Sequence, residues 1–314
     1  MKRNILFIAS AALLLVSSVR ALAATTPSNP GANGYNVAPL INSLVINEGS
    51  TRTITLYIQN ISHDVEQVRA IVNDFIEAPS NDGTPELLLN GASSNYSLKQ
   101  FITVPNNSFT LTPGQEESVQ VNITIPRNTA SGGYFAAVRF SPQSLASGSN
   151  VNLSGSVASL ILVTVPGNLH QVLNIASLGA GDSKGHIHRL FTSNKDIYGI
   201  VYFKNTGNVQ LQPFGNFVLR SGKKDLSNIA VNKENGYILP SSVRFYTAKL
   251  NGIGSFGKYT IYGNFGFGSR GQLLAASTTF YVIPLWMLWT FLSLVAPLVL
   301  ISIFYLRYYH RSQK

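Results

Sequence analysis

The sequence contains no cysteine, so neither a disulfide bridge nor a cysteine nucleophile can form. Charged residues are also few, at 11% of the 314 residues. An exported chain without disulfides must be stabilised by the burial of apolar surface, which suits a bacterial envelope better than an animal cell surface. We therefore expect a bacterial protein.

A helical spacing of apolar residues is also missing between the two ends of the chain. Short runs instead alternate in character, as in residues 51–58 and 117–125. In the second run Val119, Val121 and Ile123 share one face, while polar residues occupy the other. Such alternation is typical of a half-buried strand in an antiparallel sheet. Repeated at this spacing between Gly, Pro and Asn turns, it predicts an all-β, Ig-like fold.

The two ends carry export and membrane signals. Lys2 and Arg3 precede an apolar run and a small-residue site at residues 21–23, which predicts a cleaved signal peptide. Arg20 is unusual so near a cleavage site and leaves an uncleaved anchor as the alternative. Residues 282–306 contain no charge and are long enough to cross a bilayer. Basic residues follow this run, so the positive-inside rule predicts a cytoplasmic C-terminus and an extracellular remainder.

The predicted fold is therefore two tandem Ig-like antiparallel β-sandwich domains followed by a single transmembrane α-helix. In chain order the expected segments are a signal peptide at 1–23, a linker at 24–35, an N-terminal sandwich at 36–166, a C-terminal sandwich at 167–281, the transmembrane helix at 282–306 and a basic cytoplasmic tail at 307–314.

Charge is unevenly divided between the two predicted sandwiches. Residues 25–165 contain 5 basic and 9 acidic residues, whereas residues 166–281 contain 12 basic and 4 acidic ones. A basic membrane-proximal half favours anionic wall polymers, lipid headgroups or an acidic protein as partners. Nucleic acid is not expected as a partner, because an exported protein does not meet it.

Aromatic and basic residues of the second sandwich are the candidate binding residues. Strand alternation must place about half of the aromatics in the core, and the others are available to stack on a sugar or to contact a protein. The candidates are Arg220, Lys223, Lys224, Tyr246, Tyr259 and Tyr262.

Signals for catalysis or for a cofactor are weak, so we expect no enzyme and no cofactor. His186 and His188 would share one face of a strand and could hold a metal with Asp182, although a pair of surface histidines beside a turn explains them equally. Residues 179–185 resemble a phosphate loop only superficially, and an exposed turn accounts for them. Asp74 and Glu77 border a loop, where a solvated rim accounts for them.

Several stretches resemble one bacterial family. Residues 107–140 combine a Thr-Pro-Gly turn, an alternating strand closed by Ile-Pro, and a Gly-Gly-aromatic strand. This run is similar to the end of the first domain in the WxL-interacting-protein family of Gram-positive surfaces. Residues 44–60 also fit that domain, and residues 201–208, 238–245 and 277–284 resemble the family's second domain. The resemblance implies two sandwiches and one membrane helix, with peptidoglycan bound by the first domain and a surface protein by the second.

The sequence thus favours a membrane-anchored bacterial surface protein that binds cell-wall polymer, a partner surface protein, or both. Two alternatives remain open at this point. One is a wall-polymer-processing enzyme whose carboxylates meet only in three dimensions, and the other is a structural spacer in an envelope complex.

Overall fold

The computed structural model describes residues 34–143 and 155–312. The predicted signal peptide, the linker up to residue 33, most of the loop at 143–156 and the last two residues lie outside the described residues. Strands are the main secondary structure of the described part, with one C-terminal helix, which confirms the all-β fold class.

The first sandwich contains two sheets. One has the strand order β1-β3-β8-β6, and the other has the order β2-β10-β9-β4-β5 with β7 also paired to β4. The strands are β1 (Tyr35–Ala38), β2 (Ile41–Val45), β3 (Thr51–Asn60), β4 (Glu66–Glu77), β5 (Pro85–Leu88), β6 (Ile102–Thr103), β7 (Ser108–Leu111), β8 (Glu116–Thr124), β9 (Gly132–Pro142) and β10 (Val157–Val165).

The second sandwich repeats this plan with the orders β12-β11-β14-β17 and β13-β19-β18-β15-β16. Its strands are β11 (Leu173–Gly181), β12 (Ile187–His188), β13 (Leu190–Phe191), β14 (Tyr198–Asn205), β15 (Phe214–Ser221), β16 (Lys224–Val231), β17 (Val243–Lys249), β18 (Gly257–Phe267) and β19 (Gln272–Val282).

The inward-facing residues of each pair of sheets form a core. Val119, Val121 and Ile123 of β8 are buried, as its alternation predicts, and no residue of β10 is exposed. Leu56, Val121 and Phe140 belong to the first core, and Phe203, Phe217 and Phe280 to the second. Most strand pairs are antiparallel, but β2 pairs with β10 and β13 with β19 in parallel.

A buried asparagine closes the same corner in both sandwiches. Asn60 at the end of β3 donates from Nδ2 to the carbonyls of Asp64 and Leu111, at 2.8 and 3.1 Å. Asn205 at the end of β14 donates to the carbonyls of Val209 and Ile238, at 2.8 and 3.0 Å. Both side chains are fully buried. The two sandwiches therefore share a polar corner as well as a strand plan.

The two sandwiches meet through a third apolar cluster and direct hydrogen bonds. Phe75 and Phe135 of the first sandwich pack with Leu239 of the second. The Gly133 amide donates to the Asn208 carbonyl at 2.7 Å, and the Gln210 amide Nε2 donates to the Thr164 hydroxyl at 2.9 Å. The described residues of the two sandwiches accordingly belong to one compact unit.

Helix α1 (Leu285–Ser312) follows the second sandwich, and its stretch Leu285–Ile303 is long and apolar enough to cross a membrane. No side chain described along that stretch is buried. The predicted start at Val282 is wrong, because Val282 is fully buried, pairs with Gly257 and ends β19. Pro284 separates strand from helix, and the helix continues into the predicted tail.

Candidate functional site

A groove runs along one side of the second sandwich, between the edges of its two sheets. One wall is β17, and the other is the end of β16 with the turn that follows it, residues 229–234. Ser80 and Asp82 of the first sandwich close one end, and Ser183 and Lys184 contribute to the rim. We call this the edge groove, and its volume is about 910 Å³.

The outer edge of β17 supplies the backbone of this groove. Two hydrogen bonds show how β17 is oriented: the Asn205 amide donates to the Ser242 carbonyl at 3.0 Å, and the Leu250 amide donates to the Ile197 carbonyl at 2.9 Å. The backbone amides and carbonyls of the even-numbered residues of β17 therefore face β14. Odd-numbered residues therefore turn their amides and carbonyls outward. The outward-facing amide of Phe245 donates to the carbonyl of Asn81, in the first sandwich, at 2.7 Å. Among the described residues the amides of Thr247 and Lys249 have no such partner, so this half of the edge is open.

Charged side chains around the edge groove are mostly basic. Lys184, Lys233, Arg244 and Lys249 line it, against Asp82 and Glu234. Lys249 donates to Asp196 at 2.7 Å, and this hydrogen bond lowers the pKa of the Asp196 carboxyl. Lys184 and Lys233 are exposed at the rim. These two lysines are placed to contact acidic side chains of a bound segment.

A buried carboxyl lies where the groove meets the first sandwich. Burial raises the pKa of Glu77 to about 7, the Arg244 guanidinium opposes that rise, and the Asp82 charge adds to it. Glu77 Oε1 and Arg244 Nε are both buried without a hydrogen-bond partner among the described residues. The expectation that Asp74 and Glu77 form a solvated rim is wrong, because Glu77 is half-buried, and Asp74 is fully buried and accepts from the Ser94 amide at 3.0 Å.

Arg244 is held in place by both sandwiches. Its Nη1 donates to the Tyr237 carbonyl at 2.7 Å, and its Cζ lies 5.0 Å from the centre of the Tyr246 ring. A Cβ atom at Gly236 would approach Nη2 to 2.7 Å, and one at Gly83 would overlap the guanidinium. Arg244 also lines a second, smaller cavity of about 220 Å³ at this junction, together with Phe75 and Leu239.

Four of the sequence-predicted binding residues lie together, away from the edge groove. Arg220 forms an ion pair with Asp225, and its Cζ lies 4.8 Å from the ring centre of Tyr262, which is 37% exposed. Lys223 and Lys224 are exposed at the turn that joins β15 to β16. This group lies at the opposite end of β16 from Lys233.

Tyr246 and Tyr259 are buried rather than exposed, which corrects their place among surface candidates. They are 8% and 4% exposed. The Tyr246 hydroxyl donates to the Gly236 carbonyl at 3.0 Å, and burial raises its pKa. Tyr259 stacks on Phe280 and accepts from the Gly254 amide at 2.9 Å. Strand alternation directs both rings into the core, although Tyr246 also borders the edge groove.

The histidine candidates do not converge. His186 Nδ1 lies 2.8 Å from Asp182 Oδ2, and this hydrogen bond lowers the pKa of the aspartate. His188 instead packs edge-on against Phe191. Within residues 34–143 and 155–312, no group of three or more His, Cys, Asp or Glu side chains is placed to hold a metal ion.

The edge groove was not found from the sequence. Residues 243–250 do predict a strand, but whether a strand lies at a sheet edge depends on which strands pair with it. The junction pair left a weak signal at most, since Glu77 borders a glycine-containing turn and Arg244 follows a Pro-Ser-Ser turn. Only the contact between sandwiches brings these residues together.

Comparisons with known proteins extend this description only slightly. No family model and no curated protein matches the chain. Among solved structures, one from a chaperone–tip adhesin complex of CFA/I fimbriae biogenesis is 14% identical, covering 81% of this chain and 100% of that one, with a TM-score of 0.39. The E. coli chaperone DraB is 16% identical over 80% and 98% of the two chains, with a TM-score of 0.33. At such scores these similarities carry no argument about function.

Proposed function

We propose that this chain is a non-enzymatic, membrane-anchored bacterial surface protein whose second sandwich binds an extended segment of a partner surface protein. The observation that carries this proposal is the open outer edge of β17 beside a basic groove. An extended peptide adds to a free sheet edge through main-chain hydrogen bonds, while side-chain pockets and charges select its sequence.

The other parts of the proposal have separate support. The apolar stretch of α1 supports anchoring in a membrane. The basic residues that follow it support an extracellular position for both sandwiches, by the positive-inside rule. The resemblance to WxL-interacting proteins supports a protein partner for the second sandwich and peptidoglycan as the partner of the first.

A synthetic peptide tests the groove. The full-length chain in detergent micelles is titrated with an end-blocked octapeptide of alternating Glu and Val, and the control peptide has Lys in place of Glu. We expect the acidic peptide to bind and the basic one to bind at least about tenfold more weakly, because Lys184 and Lys233 attract one and repel the other. No binding of the acidic peptide at about 1 mM would contradict the proposal, since even a weak specific complex is populated there.

A matched pair of variants tests the mechanism of strand addition. T247P removes an outward amide without breaking the β14 ladder, and T247V keeps that amide while changing the side chain. T247P should weaken binding about tenfold, the value of roughly one backbone hydrogen bond, and T247V should leave it unchanged. Equal affinity of the two variants would show that the peptide does not pair with β17. Circular dichroism verifies that both variants fold.

Purified sacculi test the expected wall partner and the enzymatic alternative together. Retention of the full-length chain on sacculi without release of muropeptides is expected for a binding protein. Release of soluble fragments would contradict the non-enzymatic function. Failure to bind either sacculi or peptide would favour a structural spacer.

A further inference from the structure

A linker of two residues holds one end of the second sandwich close to α1. β19 ends at Val282, which is fully buried, and only Ile283 and Pro284 separate it from Leu285. Two linking residues span at most about 10 Å. Because the polar layer on each side of a bilayer core is roughly 5–8 Å thick, a membrane-spanning α1 brings this end of the sandwich to the headgroups.

The strand register places a row of basic residues across that end. Lys258 of β18 pairs with Tyr281 of β19, and the Tyr281 amide donates to the carbonyl of Arg189 at 2.8 Å. On the other side Arg220 of β15 pairs with Thr260, and the turn with Lys223 and Lys224 follows directly. Neighbouring strands lie about 4.8 Å apart. These basic residues therefore lie across the width of the sheet, from the start of β13 to the start of β16.

The basic residues of this row are available to an external anion. We name Arg189, Lys223, Lys224 and Lys258 the basic row, and all four are exposed. None of them forms an ion pair within the described part of the chain. The nearby acidic side chains are engaged elsewhere, since Asp225 pairs with Arg220 and Asp196 with Lys249.

Exposed apolar side chains lie at the same end. Phe256 is 57% exposed and directly precedes Gly257, the residue paired with Val282. Leu190 of β13 pairs with Tyr281 of β19 and is 54% exposed. Basic side chains beside exposed Phe and Leu are the combination that binds the interface of an anionic membrane.

From this arrangement we infer that the basic row and Phe256 form a binding surface for anionic phospholipid headgroups, which docks the second sandwich on the bilayer. The inference rests on the anchoring by α1 in the proposed function, and it is independent of the edge groove. The partner is a lipid surface, and it fixes the orientation of the groove above the membrane.

Site-specific fluorescence labelling tests this inference. Each variant carries one introduced cysteine, because the chain has no cysteine of its own. S255C carries a polarity-sensitive fluorophore beside Phe256, and S269C carries it in the turn at the other end of β18 and β19. Both full-length variants are reconstituted into phosphatidylcholine vesicles with or without 30% phosphatidylglycerol, and quenching by headgroup-nitroxide lipid is measured. The charge variant K223E/K224E/K258E is made on both backgrounds.

We expect the label at residue 255 to be quenched more strongly in anionic than in neutral vesicles, and the label at 269 to be unaffected. Each basic residue near an anionic surface contributes about fivefold to the bound population, so the charge variant should lower the docked-to-undocked ratio by at least about tenfold. High salt should act in the same direction. Quenching that is equal in both lipids and unchanged by the triple substitution would overturn the inference. Failure of the chain to incorporate into vesicles would instead contradict the anchoring in the proposed function.

Discussion

Gly83 of the first sandwich leaves open the space that the Arg244 guanidinium of the second sandwich occupies. A Cβ atom at position 83 would overlap that guanidinium, and the backbone of Gly83 has a φ of 90°. The same guanidinium donates a hydrogen bond to the Tyr237 carbonyl and lies beside the half-buried Glu77. This contact couples the orientation of the two sandwiches to one end of the edge groove.

A G83A substitution should therefore displace Arg244 and loosen the junction. G91A is the matched control, because Gly91 has a similar φ of 83° but no atom within 4 Å of a Cβ atom. Both variants pay about 1 kcal/mol for a left-handed alanine, and G83A should lose roughly 1–3 kcal/mol more, because the displaced guanidinium gives up its hydrogen bond to the Tyr237 carbonyl. Urea unfolding of the full-length chain in micelles, followed by far-UV circular dichroism, measures the difference. Equal stabilities would show that Arg244 does not pack on Gly83 in solution.

The Glu77 carboxyl should make stability depend on pH. Its pKa is raised from 4.5 to about 7, so the folded state binds more protons than the unfolded state between those values. The free energy of unfolding should then fall as the pH rises from about 4.5 to about 7, by on the order of 2 kcal/mol after solvent screening. The E77Q variant should lack this part of the pH dependence. Identical pH profiles for the two proteins would contradict a buried, partly unpaired Glu77.

Tyr259 and Tyr262 lie on the same strand but should respond differently to truncation. Tyr259 is buried against Phe280, so Y259A should cost about 3–5 kcal/mol through the cavity it leaves. Tyr262 is half-exposed over Arg220, so Y262A should cost less than about 1 kcal/mol. Denaturant titration of the two variants checks this contrast. A similar loss for both would contradict the assignment of these faces.

Patterns that depend on local burial could be predicted from the sequence. The alternation of β8 and the apolar run of β10 follow directly from which faces are covered. Residues 179–185, in contrast, were expected to form an exposed turn. The turn lies at residues 182–185, whereas Gly179 and Gly181 belong to the end of β11, where a Cβ atom would meet Ile187 or the carbonyl of His186. Glycine here permits close approach of neighbouring strands, which the sequence does not distinguish from a turn.

Features that depend on contacts distant in sequence could not be predicted. The parallel pairing of β2 with β10 joins residues more than a hundred positions apart, and no local pattern marks it. The raised pKa of Glu77 and the open edge of β17 likewise depend on how the two sandwiches and their sheets meet. Four of the six candidate residues chosen from composition therefore fell at the basic turn near α1, and only Tyr246 borders the edge groove.

Alkaline extraction of cell membranes tests the anchoring by α1, on which the account depends. The full-length chain should remain in the membrane pellet, and an L292R/L298R variant should move largely to the soluble fraction. Each arginine at the centre of a span costs about 2.5–3.5 kcal/mol of insertion free energy, and both leucines are exposed on α1. Recovery of the unmodified chain in the soluble fraction, or equal retention of both proteins in the pellet, would contradict a membrane-spanning α1.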